Sequence, residues 1–192
     1  MKETFRKVTE YVQEHKKELT IGAIVVGSIA VIILVLALYS YNHRQPKITY
    51  EPAYACDLLT LDEAKTLLGD KTINGVHETP VQSGDLTVSK CAYSDGLPDT
   101  ENAVVAAISV RSGINDAGIA LNKAQYESGK PSAGIEEVSG LGDNAYYNTG
   151  LGQLNVLKDS TWILLSYGSA SAPQGNSLEE TKKLAQLVLN AQ

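Results

Sequence analysis

An uncharged, largely apolar run from Leu19 to Asn42, containing "LTIGAIVVGSIAVIILVLALYSY", constrains this chain more than any other feature. Crossing the hydrocarbon core of a bilayer takes about 20 apolar residues in a helix, and the run meets that length. A cleavable leader is the rival reading, but its apolar core spans about 7 to 15 residues and the cleavage site follows closely. Here the apolar residues continue to Leu38, and Ala53-Tyr54-Ala55 comes only after "YSYNHRQPKITYEP". The expectation is an uncleaved transmembrane helix over residues 19–41, with a tail at 1–18, an extended linker at 42–54 and a folded domain at 55–192.

Basic residues set the expected orientation. The tail holds Lys2, Arg6, Lys7, Lys16 and Lys17, whereas the other flank of the run offers Arg44 and Lys47. The positive-inside rule then places the N-terminus in the cytoplasm and the domain outside a plasma membrane, crossed once. From Pro46 onward ten Lys and Arg face eighteen Asp and Glu, a net charge of −8. A domain of that sign is poorly suited to grip nucleic acid or the phosphates of anionic lipid, and neither is expected as a partner. Phe5, Val8, Tyr11 and Val12 fall at near-helical spacing in the tail, which is too small to be a domain. Ala23 and Gly27 form a small-residue pair of the kind that lets membrane helices approach, although such pairs are common by chance.

After the run, Pro46 and Pro52 interrupt a stretch with no periodicity, which reads as a spacer reaching roughly 40 Å at most. A helix follows: Thr60 and Glu63 match a capping box, Leu61, Ala64, Leu67 and Leu68 form a stripe, and Gly69 ends it. "INGV" reads as an Asn-Gly turn, and "LTVSKCAY" and "AVVAAISV" as strands separated by the turn-rich "SDGLPDTEN". A second helix is predicted over 115–128 with Ala117, Ala120, Leu121 and Ala124 on its packed side, Gly118 weakening it. "AYYNT", "GQLNVLK" and "TWILLSYG" read as strands, with "LKDST" closing a hairpin and the last strand apolar on both faces. A final helix begins at a second capping box, Ser177 and Glu180, and turns Leu178, Leu184, Leu187, Val188 and Ala191 inward. The sum is an α+β domain with a mostly antiparallel sheet and helices packed on one face, large enough to bury its own core.

The candidate sites are few. Outside the membrane two cysteines permit one intramolecular pairing, Cys56 with Cys91, which the chain-entropy model values at roughly 3 to 4 kcal/mol. A lipidated Cys56 and a free thiol are the alternatives. His77 is the domain's one histidine and has no nucleophile elbow to serve, so it reads as a surface residue. "GLGDNA" matches a dinucleotide fingerprint in letters only, lacking a buried strand before it and a helix after it, and reads as a turn. Asp95, Asp99 and Glu101 supply calcium-type oxygens without the spacing of an EF-hand loop. No metal or cofactor is expected. Ten tyrosines against one Phe and one Trp leave Tyr146 and Tyr147 as a candidate interaction surface, since neighbouring strand residues face opposite sides and at most one of them can be core.

Taken in order, "CDLLTLDEAKTLLG", "KCAYSDG", "GLGDNAYY", a strand pair and a C-terminal amphipathic helix resemble a family of bacterial extracytoplasmic domains of unknown function, common as actinobacterial lipoproteins and secreted proteins. The resemblance covers about Ala55 to Leu189 and implies a paired Cys56 and Cys91 on an α+β sheet, with no catalytic residues to transfer. This chain departs from the lipoprotein members in having no lipobox directly after its apolar run. Together these readings point to a non-enzymatic, single-pass cell-envelope protein whose outer domain binds a partner or ligand. The alternative is an envelope enzyme or accessory acting on a wall polymer, with Asp95, Asp99 or Glu101 in its site.

Overall fold

A computed structural model describes residues 31–36, 47–96, 103–169 and 171–191. Within the expected membrane segment residues 31–36 are helical, and their side chains are apolar and exposed. The rest of that segment lies outside the described residues, as does the tail. Among the described residues no helix is long and apolar enough to cross a membrane.

The folded unit runs from Pro46 to Gln192 and is α+β. Seven strands, β1 (Ile73–Ser83), β2 (Leu86–Ser94), β3 (Val104–Gly113), β4 (Ile135–Glu137), β5 (Asn144–Asn148), β6 (Gln153–Lys158) and β7 (Thr161–Ser169), form one sheet in the order β1-β2-β3-β7-β6-β5-β4. Every neighbouring pair is antiparallel. Two meanders, β1 to β3 and β4 to β7, therefore meet where β7 zips onto β3. Four helices accompany them: α1 (Ala55–Leu58), α2 (Leu61–Leu68), α3 (Asp116–Gly129) and α4 (Leu178–Asn190). β7 is the fourth of seven strands, the central place expected from its two apolar faces, although its second half is only half-buried. The β6–β7 hairpin closes through Asp159, whose φ of 51° is the left-handed conformation a tight turn requires and that Asp tolerates.

Local sequence signals and tertiary placement part company at several points. Asn74-Gly75 is not a turn; it lies inside β1, where the register with β2 shifts between Asn74 and His77. A Cβ on Gly75 would stand 3.0 Å from the Ala92 carbonyl oxygen, so the glycine permits close approach at the irregularity. Thr60 forms its capping box: its backbone N–H donates to Glu63 at 2.8 Å and its hydroxyl accepts from the Glu63 N–H at 3.3 Å. The Ser177 box does not form, because Glu180 turns to Lys183 and no side chain caps α4. Leu184 and Val188 point inward as expected, joined by Thr181 and Ala185, while Ala191 is exposed.

α3 begins at an Asn115 cap, but its expected stripe is on the wrong side: Ala117, Ala120, Leu121 and Ala124 are exposed, and Gly118, Asn122 and Tyr126 are buried. The reason lies in what the helix meets. A Cβ on Gly118 would collide with the Asp85 carbonyl, and buried Asn122 donates to the carbonyls of Arg111 (2.7 Å) and Ser160 (2.9 Å), tying α3 to β3 and the β6–β7 turn. The helix weakened by Gly118 in isolation thus depends on it in the fold.

The expected linker also changes character. Thr49 and Tyr50 donate backbone N–H bonds to the Ile114 carbonyl, and Tyr50 Oη donates to Asp116 at 2.6 Å. Ala53 and Ala55 donate to the hydroxyls of Ser112 and Ser89, which face them from β3 and β2. Residues 49–54 are therefore docked on the domain by satisfied backbone groups.

Helices do not pack on one face only. α1, α2 and α4 cover one face through Ala55, Leu58, Leu59, Ala64, Leu184 and Val188 against Cys91, Ile108, Ile163 and Leu165. α3 sits on the opposite face, where Tyr126 meets Tyr146, Leu157 and Trp162. These are the closed face and the open face below, because α3 covers only one end of its side.

Candidate functional site: the open sheet face

Tyr146 and Tyr147 do not form an exposed patch. Their relative exposures are 2 % and 4 %, since the strand alternation that separates them places each under a helical cover. Tyr147 joins the closed-face core and its hydroxyl donates to the Asn176 carbonyl. Tyr146 packs with Tyr126 at 5.2 Å between ring centroids and lies 5.6 Å below the Lys130 ammonium. Burial raises the pKa of both phenols, with Glu136 adding to the effect on Tyr147 and Glu127 on Tyr146. The hydroxyl of Tyr167 reaches the Leu67 carbonyl at the end of α2 (3.0 Å). In these positions tyrosine works as core with a polar tip.

Cys56 and Cys91 are joined in a disulfide, their Cα atoms 5.1 Å apart. It links α1 to β2 beneath the helices of the closed face. His77 is Cys91's partner across the β1–β2 ladder, stacks edge-on against Tyr93 at 5.1 Å, and its imidazole lies within 4.8 Å of both sulfurs. With both sulfurs bonded to each other the cluster offers no thiolate ligand. Of "GLGDNA", Gly140 to Asp143 are bends that lead into β5 and Asn144 and Ala145 open the strand, consistent with a turn before a strand. Asp95 accepts from the Ser94 hydroxyl (3.4 Å), while Asp99 and Glu101 lie outside the described residues.

What the sequence reading did not single out is a trough of about 300 Å³ on the open face, beyond the reach of α3. Its floor comes from two adjacent rungs of the sheet. Lys90, Ser109 and Leu164 stand on one, and Ala92, Ala107 and Ser166 on the next, as the β2–β3 and β3–β7 registers require. Val76 and Glu78 of β1 form one side, with Glu78 paired to Lys90 at 3.3 Å, and Gln153 of β6 stands on the other. Small side chains on the middle strands make the depression: Ala92, Ala107, Ser109 and Ser166 leave room above the sheet that larger residues would fill. Small and apolar side chains on the floor, with the Lys90–Glu78 ion pair at one edge and Gln153 at the other, suit a small-molecule site, and the volume falls at the lower end of the usual range.

One rung beyond Ser109, toward α3, stands Arg111, opposite Val88 on β2 and Trp162 on β7. Its guanidinium lies 4.9 Å over the Trp162 ring and donates to Gln125 of α3. Burial lowers its pKa from the ordinary value, and an arginine guanidinium stays charged in proteins. The signal for this face was present in the alternation of β3, where Ala106, Ile108 and Val110 are buried and Val105, Ala107, Ser109 and Arg111 are half-buried.

Comparison of the chain with protein-family models, with curated proteins and with solved structures gave no match.

Proposed function

We propose that the chain is a non-catalytic binding protein of the cell envelope, held by one N-terminal membrane helix with its domain on the outer side, and that the open-face trough holds its ligand. The observation that carries this reading is the unequal cover of the sheet. Three helices seal one face, and on the other α3 stops short of a depression floored by Ala92, Ala107 and Leu164. An apolar floor left open to solvent gives up burial that a longer helix or larger side chains would supply, and a ligand is what restores it. The apolar run at 19–41, the basic tail and a docked segment starting within a few residues of Pro46 support the anchored placement.

Two measurements test it. In intact cells, protease added from outside digests the domain while alkaline carbonate leaves the chain in the membrane fraction; a protected domain or a released chain overturns the placement. Mass spectrometry of the protein purified from its own membrane recovers a small molecule from the wild type that Ala107→Arg, which fills the trough, does not retain. Identical spectra from the two overturn the assignment of the trough.

A further inference from the structure

The trough sits beside a cation that has no acid partner among the described residues. Arg111 is the sole arginine among the ten basic residues from Pro46 onward, in a domain with eighteen carboxylates to choose from. Nearby cations are neutralised, Lys90 by Glu78 and Lys130 by Glu137. Among the described residues the Arg111 guanidinium has no ion-pair partner; it donates to Gln125 and lies over the Trp162 ring. A half-buried guanidinium without a carboxylate is costly, because the water it lost is replaced by one neutral acceptor for five donors. The stack on Trp162 and the bond to Gln125 hold the planar fork in one orientation, which spares a ligand the cost of ordering it. Arg111 follows Ser109 by two residues on the same face of β3, about 6.6 Å along the strand.

We propose that the trough takes a single-chain amphiphile with a carboxylate head: the apolar chain lies over Ala92, Ala107 and Leu164, and the head pairs with Arg111 at the α3 end. This rests on the trough being a binding site and adds the chemical class of its ligand. The domain's negative charge opposes anionic surfaces at long range, but salt screens that field within about 8 Å, and contact with a desolvated guanidinium is decided locally. The same balance favours a small anion over an anionic membrane surface.

Trp162 is the single tryptophan of the chain, so its fluorescence reports on the Arg111 stack directly. The full chain in lipid vesicles is titrated with octanoate, with octanol and with octyltrimethylammonium. Octanoate is expected to shift the Trp162 emission saturably and to bind at least about ten-fold more tightly than octanol, the scale of one good charge-assisted contact. Arg111→Gln should bring octanoate down to the affinity of octanol and leave octanol unchanged. Ala107→Arg should abolish both. Equal affinity of the wild type for octanoate and octanol, or a preference that survives Arg111→Gln, overturns the carboxylate assignment while the trough remains a site. No saturable binding of either compound to the wild type overturns the trough itself. Should Arg111→Gln fail to fold, the cationic amphiphile answers the same question in the wild type: it must bind more weakly than octanol, and binding equal to octanoate removes the proposal.

Discussion

The two faces of this sheet are built from the same strands, yet they are finished differently. On the closed face β7 contributes Ile163 and Leu165, which are buried against β3, β6 and the helices; on the open face it contributes Leu164 and Ser166, which are half-buried at the trough. On the closed face the Ser89 and Ser112 hydroxyls accept from the backbone N–H groups of Ala55 and Ala53, while the buried Thr87 hydroxyl has no partner among the described residues. On the open face Ser109 lines the trough, and the half-buried Arg111 guanidinium donates to Gln125 of α3 and lies over the Trp162 ring. A sheet with a sealed side and an unsealed side concentrates the core on one face, so the other can be altered with limited damage to stability.

The largest expected difference between the faces comes from neighbouring leucines. Leu165→Ala should lower the unfolding free energy by about 3 kcal/mol, as for a fully buried core leucine, whereas Leu164→Ala should cost about 1 kcal/mol or less. Urea midpoints at unchanged slope measure both, and equal losses would break the division into two faces. Next comes the disulfide, whose partners are 35 residues apart and which ties α1 to the closed face. Replacing both cysteines, Cys56→Ser with Cys91→Ala, should cost roughly 3 kcal/mol under non-reducing conditions and leave Trp162 emission in the folded state unchanged. A change in that emission would mean that the closed face and the α3 end of the open face are mechanically coupled.

Helix caps give a smaller contrast. Thr60→Ala removes a formed capping box and should cost about 1 kcal/mol, while Ser177→Ala, at a box that does not form, should cost a few tenths at most. Thermal melts of the two variants compare them directly.

The last effect vanishes at neutral pH. Tyr93, Tyr126, Tyr146, Tyr147 and Tyr167 all have phenols raised above the ordinary value, burial being the first cause in each. Their contribution is intact below the unfolded value of about 10; above it the unfolded chain ionises first, so stability falls as pH climbs through 10 toward the folded values. Tyrosinate absorbance should therefore rise together with the loss of near-ultraviolet circular dichroism. Tyr126→Phe should make that loss less steep, and five phenols ionising near pH 10 with the fold intact would contradict their burial.

Short-range chemistry was legible where a residue and its partner are close in sequence. The Thr60 box, the tight link between β6 and β7 and the strand character of β2, β3 and β7 depend on neighbours a few residues away. β1 was hidden because an edge strand with Asn-Gly, Pro80 and exposed side chains throughout most of its length carries no period-two pattern. The Ser177 box looked as good as the Thr60 box and failed because Glu180 had a lysine one turn away. The disulfide was reachable from two cysteines and a compartment, but not the histidine beside it, since His77 and Cys91 meet only through the β1–β2 register.

By itself the sequence determined an α+β domain, the beginnings of two helices, the central place of the 161–169 strand and one pairing of cysteines. Each follows from periodicity, capping or counting, which need no knowledge of distant contacts. Only the tertiary structure decided which side of α3 is buried, that Tyr146 and Tyr147 are both interior, that residues 49–54 are docked, and that a trough lies beside an arginine with no acid partner among the described residues. Those outcomes depend on which element happens to cover which face, and a face is covered by chain that is far away in sequence.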